Sequence, residues 1–170
     1  VEYSLELIKQ AKAGDRDAFS KLYEKVYQDM YRFALYTLKN NHDAEDVVSE
    51  AVIAAFEGIR GLRKVEAFKG WIFRILSIKC KNRLKQYIDK TEELPDNLME
   101  TARDFGEEFD IKVAFGNLSD EERLIVSMHI FGDYTSKEIG KILYMKSGTV
   151  RSKYSRALTK MEEHLCMERR

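Results

Sequence analysis

The chain has 170 residues, 44% of them hydrophobic and 34% charged, with 29 basic and 29 acidic side chains. That length admits one large domain or two small ones, and the composition is that of a soluble folded protein, which excludes a disordered chain. With nine glycines and a single proline, Pro95, the sequence suits long helices better than many short strands.

The first segment reads as helices throughout. Leu5 and Ile8 start a short amphipathic helix that Gly14 ends. Asp15 then caps a long helix in which Phe19, Leu22, Tyr23, Val26, Met30, Phe33, Ala34 and Leu38 recur at three and four residues. After the polar break Asn40-Asn41-His42, Asp43 is expected to open a third helix. Its apolar side is Val47, Val48, Ala51, Ala55 and Phe56, and it ends near Gly58. A basic connection, Arg60 to Lys64, leads to a fourth helix from about Ala67 to Ile88. From Asp89 to Ile111 periodicity lapses. Pro95, Asn97, Gly106 and the acids around Glu107 and Glu108 mark a solvated linker.

Helical spacing resumes with Ser119-Asp120-Glu121-Glu122, a capping box, followed by Leu124, Ile125, Met128 and Phe131 and a stop at Gly132. Thr135-Ser136-Lys137-Glu138 is a second box, opening a helix with Ile139, Ile142 and Leu143. After a tight turn at Tyr144-Met145-Lys146, Ser147 is expected to cap a last helix that buries Val150, Tyr154, Ala157, Leu158, Met161 and Leu165.

Zero net charge hides segregation. Residues 1–88 carry +4, residues 89–122 carry −9 and residues 123–170 carry +5. Two basic blocks flanking an acidic one predict two modules that face a polyanion, joined by a segment that does not. Cys80 and Cys166 are far apart and read as reduced thiols, while His42, His129 and His164 form no metal-spaced cluster. No acid–base or nucleophile constellation stands out either, so no enzyme, metal or cofactor is expected. No apolar run approaches the ~20 residues of a membrane span and the N-terminus has no signal-peptide pattern, so no membrane insertion is expected. The first residue is Val, so an initiator Met or short leader is expected to be missing.

Two short helices joined by a tight turn, the second one basic, have the arrangement of a helix-turn-helix. If Val150, Tyr154, Leu158 and Met161 are buried, then Arg151, Ser152, Ser155, Arg156 and Thr159 lie opposite. The small hydroxyls there let a helix approach a major groove while the arginines reach guanines or phosphates. A solvated basic hairpin is the plainer alternative. The run from Tyr134 to Leu143, with Lys146-Ser147-Gly148-Thr149-Val150-Arg151-Ser152-Lys153 and Arg156-Ala157-Leu158, resembles region 4 of RNA polymerase sigma factors of the extracytoplasmic-function (ECF) class. The resemblance implies that Arg151, Ser152, Ser155 and Arg156 read the −35 promoter element, with Thr149 and Lys153 on phosphates. Tyr144 departs from the family, which usually has Gly there.

Between Arg60 and Ile88 nine basic residues meet one acid, Glu66, with aromatics interleaved. Trp71 and Phe73 read mainly as core, although an aromatic beside a basic face can also stack on an unpaired base. Phe68-Lys69-Gly70-Trp71-Ile72-Phe73-Arg74-Ile75, continuing to Cys80-Lys81-Asn82-Arg83-Leu84-Lys85, resembles sigma region 2. That implies a −10 surface of Arg63, Lys64, Trp71, Lys79, Lys81 and Arg83, acting on melted DNA. Ile78 stands where the family commonly has Asn, so the specificity of that Asn does not carry over. Asp43-Ala44-Glu45-Asp46-Val47-Val48-Ser49-Glu50 resembles the family's helix that docks on the β′ clamp of core polymerase. Asp43, Asp46, Ser49 and Glu50 would then bind core enzyme; the plainer reading is acids favoured by a helix N-terminus.

The resemblance as a whole implies an all-α protein of two small domains joined by an acidic linker. A four-helix sigma region 2 spans 1–88, the linker 89–111 and a helix-turn-helix sigma region 4 spans 112–170. It implies a cytoplasmic alternative sigma factor that contacts the β′ clamp and β flap of core polymerase and promoter DNA, duplex and melted, and is a candidate for control by an anti-sigma factor. The competing readings are a stand-alone helix-turn-helix regulator and a helical adaptor that binds no DNA.

Overall fold

In the computed structural model, residues 4–90 and 107–168 are described, and among them every regular element is helical. Helices α1 (Leu5–Lys12), α2 (Arg16–Leu38), α3 (Asn41–Gly58) and α4 (Phe68–Asp89) form the first half. Helices α5 (Glu107–Gly116), α6 (Asp120–Ile130), α7 (Ser136–Leu143) and α8 (Ser147–Glu168) form the second. Two 3₁₀ turns, Ile59–Gly61 and Val65–Ala67, shape the connection between α3 and α4. Most of the expected linker, from 91 to 106, lies outside the described residues, and its last residues already belong to α5.

Side-chain caps place many of the helix starts. Asp15 accepts from the Ala18 N–H at 3.0 Å and starts α2. Ser119 and Thr135 each complete a reciprocal capping box, with Glu122 and Glu138, at the starts of α6 and α7. Two expected starts shift. Asn40, not Asp43, caps α3, its side chain accepting from the Asp43 N–H at 2.9 Å; Asn suits this position as well as Asp and lies just outside the apolar run. Ser147 is the first residue inside α8 rather than its cap, and the Lys146 carbonyl accepts from Val150 at 3.1 Å.

The long α2 is the spine. Leu22, Val26, Met30, Phe33 and Ala34 are fully buried along one stripe, packing against α3 and α4, where Ala44, Val47, Val48, Ala51, Phe73, Leu76 and Cys80 are buried too. Phe33 and Phe73 meet edge-on with centroids 5.9 Å apart. Each such ring contributes about 2–3 kcal/mol by leaving water. Phe56, expected on the inner side of α3, is exposed at its rim and meets Phe19 at 5.1 Å.

Packing crosses from one half to the other. Leu124, Ile125 and Met128 of α6, with Ile139, Leu143 and Val150, belong to the same buried cluster as the α1–α4 core. At its centre Thr37 Oγ1 donates to Ser127 Oγ at 2.9 Å, a wholly buried hydroxyl pair. Beside it Arg123, only 5% exposed, donates from Nε to the Thr37 carbonyl at 2.9 Å and from Nη1 to the Leu118 carbonyl at 2.6 Å. A guanidinium fork suits this place, because the last carbonyls of α2 have no partner within their own helix. Next to it the Tyr36 ring stacks between Phe115 (4.9 Å) and Phe131 (5.7 Å).

Candidate nucleic-acid and partner interfaces

Helices α7 and α8 form a tight corner because Gly140 lies against the turn: a Cβ there would stand 2.6 Å from the Met145 carbonyl oxygen. Tyr144 turns the chain with φ of 58°, in the left-handed region that side chains resist, and the Met145 N–H bonds the Gly140 carbonyl at 2.8 Å. Against this corner His129 stacks on Tyr154 at 3.9 Å and approaches Ser136 Oγ at 3.3 Å. Burial lowers the His129 pKa, against the backbone hydrogen bond at Tyr134, which raises it.

With the corner fixed, α8 turns Val150, Ala157 and Met161 inward and leaves Thr149, Arg151, Ser152, Ser155 and Arg156 exposed on one continuous surface. Lys153, expected beside them, is half-buried in an ion pair with Glu121. Leu158 is a correction: it is 38% exposed, because small Ala157 takes the inner position and brings α8 close to α5 and α6. One turn on, Lys160 reaches Glu122 at 2.8 Å. Burial opposes ionisation of Glu122, but hydrogen bonds from Lys160 and Ser119 hold its carboxyl below the usual range.

On the first half, Arg63 and Lys64 are exposed in the connection ahead of α4. Trp71 is half-buried against the core, tilted toward Phe68 at 6.2 Å. Lys79 reaches Glu50 at 3.4 Å, and Arg83 bridges Asp43 at 2.5 Å and Glu50 at 3.2 Å. Tyr87 donates to the other oxygen of Asp43; burial and that bond both raise the phenol's pKa, so it remains the donor. Asp43 is thus turned toward α4, while Asp46 and Ser49 face solvent and Glu50 stands at the border. Lys81 lies with its ammonium 5.4 Å from the Tyr144 ring centre.

Sequence reasoning passed over three groups that the structure brings to α4: Asp133, in an ion pair with Lys69, Tyr134, donating to the Gly70 carbonyl, and the Tyr144 ring over Lys81. The one available signal was the family departure at Tyr144. Among the described residues, no cluster of three His, Cys, Asp or Glu is placed to hold a metal, and no helix is long and apolar enough to cross a membrane.

Residues 22–87 match the family model for sigma-70 region 2 and residues 114–163 that for sigma-70 region 4, together more than half of the chain. The chain is 29% identical to the ECF RNA polymerase sigma factor SigM of Mycobacterium tuberculosis, over 92% of this chain and 81% of that protein. It is 26% identical to SigW of Bacillus subtilis, an ECF RNA polymerase sigma factor, over 93% and 94%. Among solved structures its fold is similar to that of the sigma factor RpoE of Bartonella quintana, determined in complex with the anti-sigma factor NepR. The TM-score there is 0.72 at 20% identity, covering 86% of this chain and 96% of that one. The fold is similar too to CnrH in complex with the cytosolic domain of CnrY, with a TM-score of 0.64 at 19% identity, covering 96% and 97%.

Proposed function

The chain belongs to the sigma-70 family, as an alternative sigma factor of the ECF type that directs transcription initiation, and from that premise we propose how its surfaces divide the work. The proposed division of the chain is region 2 over 1–88, an acidic linker over 89–111 and region 4 over 112–170. The protein works in the cytoplasm beside the polymerase, which does all the bond chemistry; this chain supplies recognition and is not an enzyme.

Asp46, Ser49 and Glu50, with Asp43 behind them, dock on the basic β′ clamp of core polymerase. The exposure of Asp46 and Ser49 supports this, since a docking carboxylate must be reachable. Arg63, Lys64, Trp71, Lys79, Lys81 and Arg83 then take the melted −10 strand. Lys79 and Arg83 exchange their carboxylate partners for phosphates, and stacking on Trp71 favours the open strand over duplex. On the −35 duplex, Arg151, Ser152, Ser155 and Arg156 enter the major groove while Thr149 and Lys153 hold phosphates, Lys153 after leaving Glu121. Region 4 also meets the β flap, and an anti-sigma factor is the partner class that would withhold the chain from polymerase.

The observation that carries this reading is the order of surfaces in one chain: an acidic face on α3, a basic face on α4 and an exposed arginine and hydroxyl face on α8. A lone helix-turn-helix regulator has no use for the first two. The test is transcription in vitro from promoter-bearing genomic fragments with purified chain and core polymerase. Initiation at a defined start is expected; absence of any complex with core enzyme would sink the assignment.

A further inference from the structure

Along the outward side of α4, Trp71, Ile75, Ile78 and Asn82 follow one another at steps of four, three and four residues and so share one face. Trp71 and Ile75 are half-buried and pack on the core, and the Trp71 ring lies against Gly58 at the end of α3, 3.5 Å from where a Cβ would stand. Ile78 belongs neither to the buried cluster nor to the side chains packed on it, and it is 40% exposed. Around it the surface is polar and cationic: Arg74 and Asn82 are exposed one turn away on either side, with Lys79 and Lys81 flanking. A single exposed isoleucine is common on a protein surface. This one is the only large apolar side chain exposed on α4 ahead of its last turn, and it stands inside the surface assigned above to the melted −10 strand.

An aliphatic side chain in such a place discriminates among bases by what it cannot do. Isoleucine neither donates nor accepts a hydrogen bond, so a base edge of amino or carbonyl groups laid against it loses water without replacement. Thymine carries an apolar group, the C5 methyl, that lies away from its pairing edge. In an unpaired strand that methyl packs on the isoleucine while the pairing edge stays in water. We propose that Ile78 is a specificity-determining residue, selecting thymine over cytosine at one position of the melted −10 strand by contact with the C5 methyl group. Trp71 and Ile78 then divide the work. Seven residues apart, they stand about 10 Å from each other along the helix axis, so the ring takes the face of one base and the isoleucine the edge of another. The inference rests on the melted-strand reading of α4 and names the base that it prefers.

The probes are fluorescein-labelled twelve-residue oligothymidylate and oligodeoxyuridylate, which differ only in that methyl group. Each is titrated with the full chain and with its complex with core polymerase, and binding is read by anisotropy. The unaltered protein is expected to prefer oligothymidylate by two- to fourfold, about fourfold being the worth of taking one methyl group out of water. Ile78→Ala should cut that preference at least in half, and Ile78→Leu should keep it. The alanine variant retains the fold, because the side chain lies outside the core and alanine favours helix. Its salt dependence should match the parent's, since no phosphate contact, each worth ~0.7 on a single strand, is lost. A general loosening of α4 would weaken both oligonucleotides alike and leave their ratio intact. Equal affinity for the two in the unaltered protein, or a preference untouched by Ile78→Ala, would overturn the proposal and leave the −10 assignment in place. Salt-dependent binding of neither oligonucleotide, by the chain or by the complex, would take the −10 assignment down and the inference with it.

Discussion

Replacing Arg123 by Met probes the junction of the halves most directly. The guanidinium is 5% exposed and donates to the Thr37 and Leu118 carbonyls and to Asp120. Burial lowers its pKa and the Asp120 charge raises it, so holding the cation here has a cost that Met removes. What Met leaves behind is two buried carbonyls without donors, each costing about 1–3 kcal/mol. Set against the relieved desolvation, the net loss comes to about 3 kcal/mol. For a chain of this size 1 kcal/mol moves the melting midpoint by about 2–4 °C, so a fall of roughly 6–12 °C is expected. Circular dichroism at 222 nm through a thermal ramp measures it, and Arg123→Lys, with charge but no fork, should fall between the two. A midpoint within ~2 °C of the parent for Arg123→Met would refute the view that this side chain satisfies both carbonyls.

Other outcomes follow from the same geometry. Arg156→Ala should weaken binding to a −35 duplex by about 1–3 kcal/mol and erase discrimination at one base pair; a titration against all single-base variants checks this, and uniform weakening would make the contact a phosphate one. Asp46→Lys should lower affinity for core polymerase at least tenfold in native electrophoresis. It is a cleaner probe than Glu50, whose loss also takes the carboxylate from Lys79 and one of two carboxylates from Arg83. His129 has a pKa lowered by burial, so the folded chain binds fewer protons than the unfolded one. Stability present above the unfolded value near 6.5 should therefore decline as pH falls through it. Urea midpoints between pH 8 and 5 should show the decline, and His129→Gln should flatten it; an unchanged slope in the variant would assign the decline elsewhere.

Much of the molecule was legible in its residues, for identifiable reasons. Capping boxes are local, so Ser119 with Glu122 and Thr135 with Glu138 could be read directly. Period-3.6 spacing located the buried stripe of α2 and the exposed arginine face of α8. The same rule misassigned Leu158 and Phe56, because spacing gives a direction but not how near the neighbouring helix comes. Contacts between distant polar groups left no pattern. Nothing in the sequence around Thr37, Ser127 and Arg123 marks them as partners until α6 is laid on α2, and Asp43 and Arg83 read as separate charges until α3 meets α4. Tyr144 stood out only as a departure, and the ammonium nearest its ring belongs to Lys81, far away in the chain.

The Tyr36 ring, held between Phe115 and Phe131, bears on how such proteins can be recombined. Sigma regions invite treatment as interchangeable cassettes, cut in the segment between them. Here the last turn of α2 is seated in the other cassette, so a chimera joined at residue 100 would pair Tyr36 and Thr37 with a socket shaped for different side chains. Grafting those two residues along with the C-terminal half would carry the fitting with the plug.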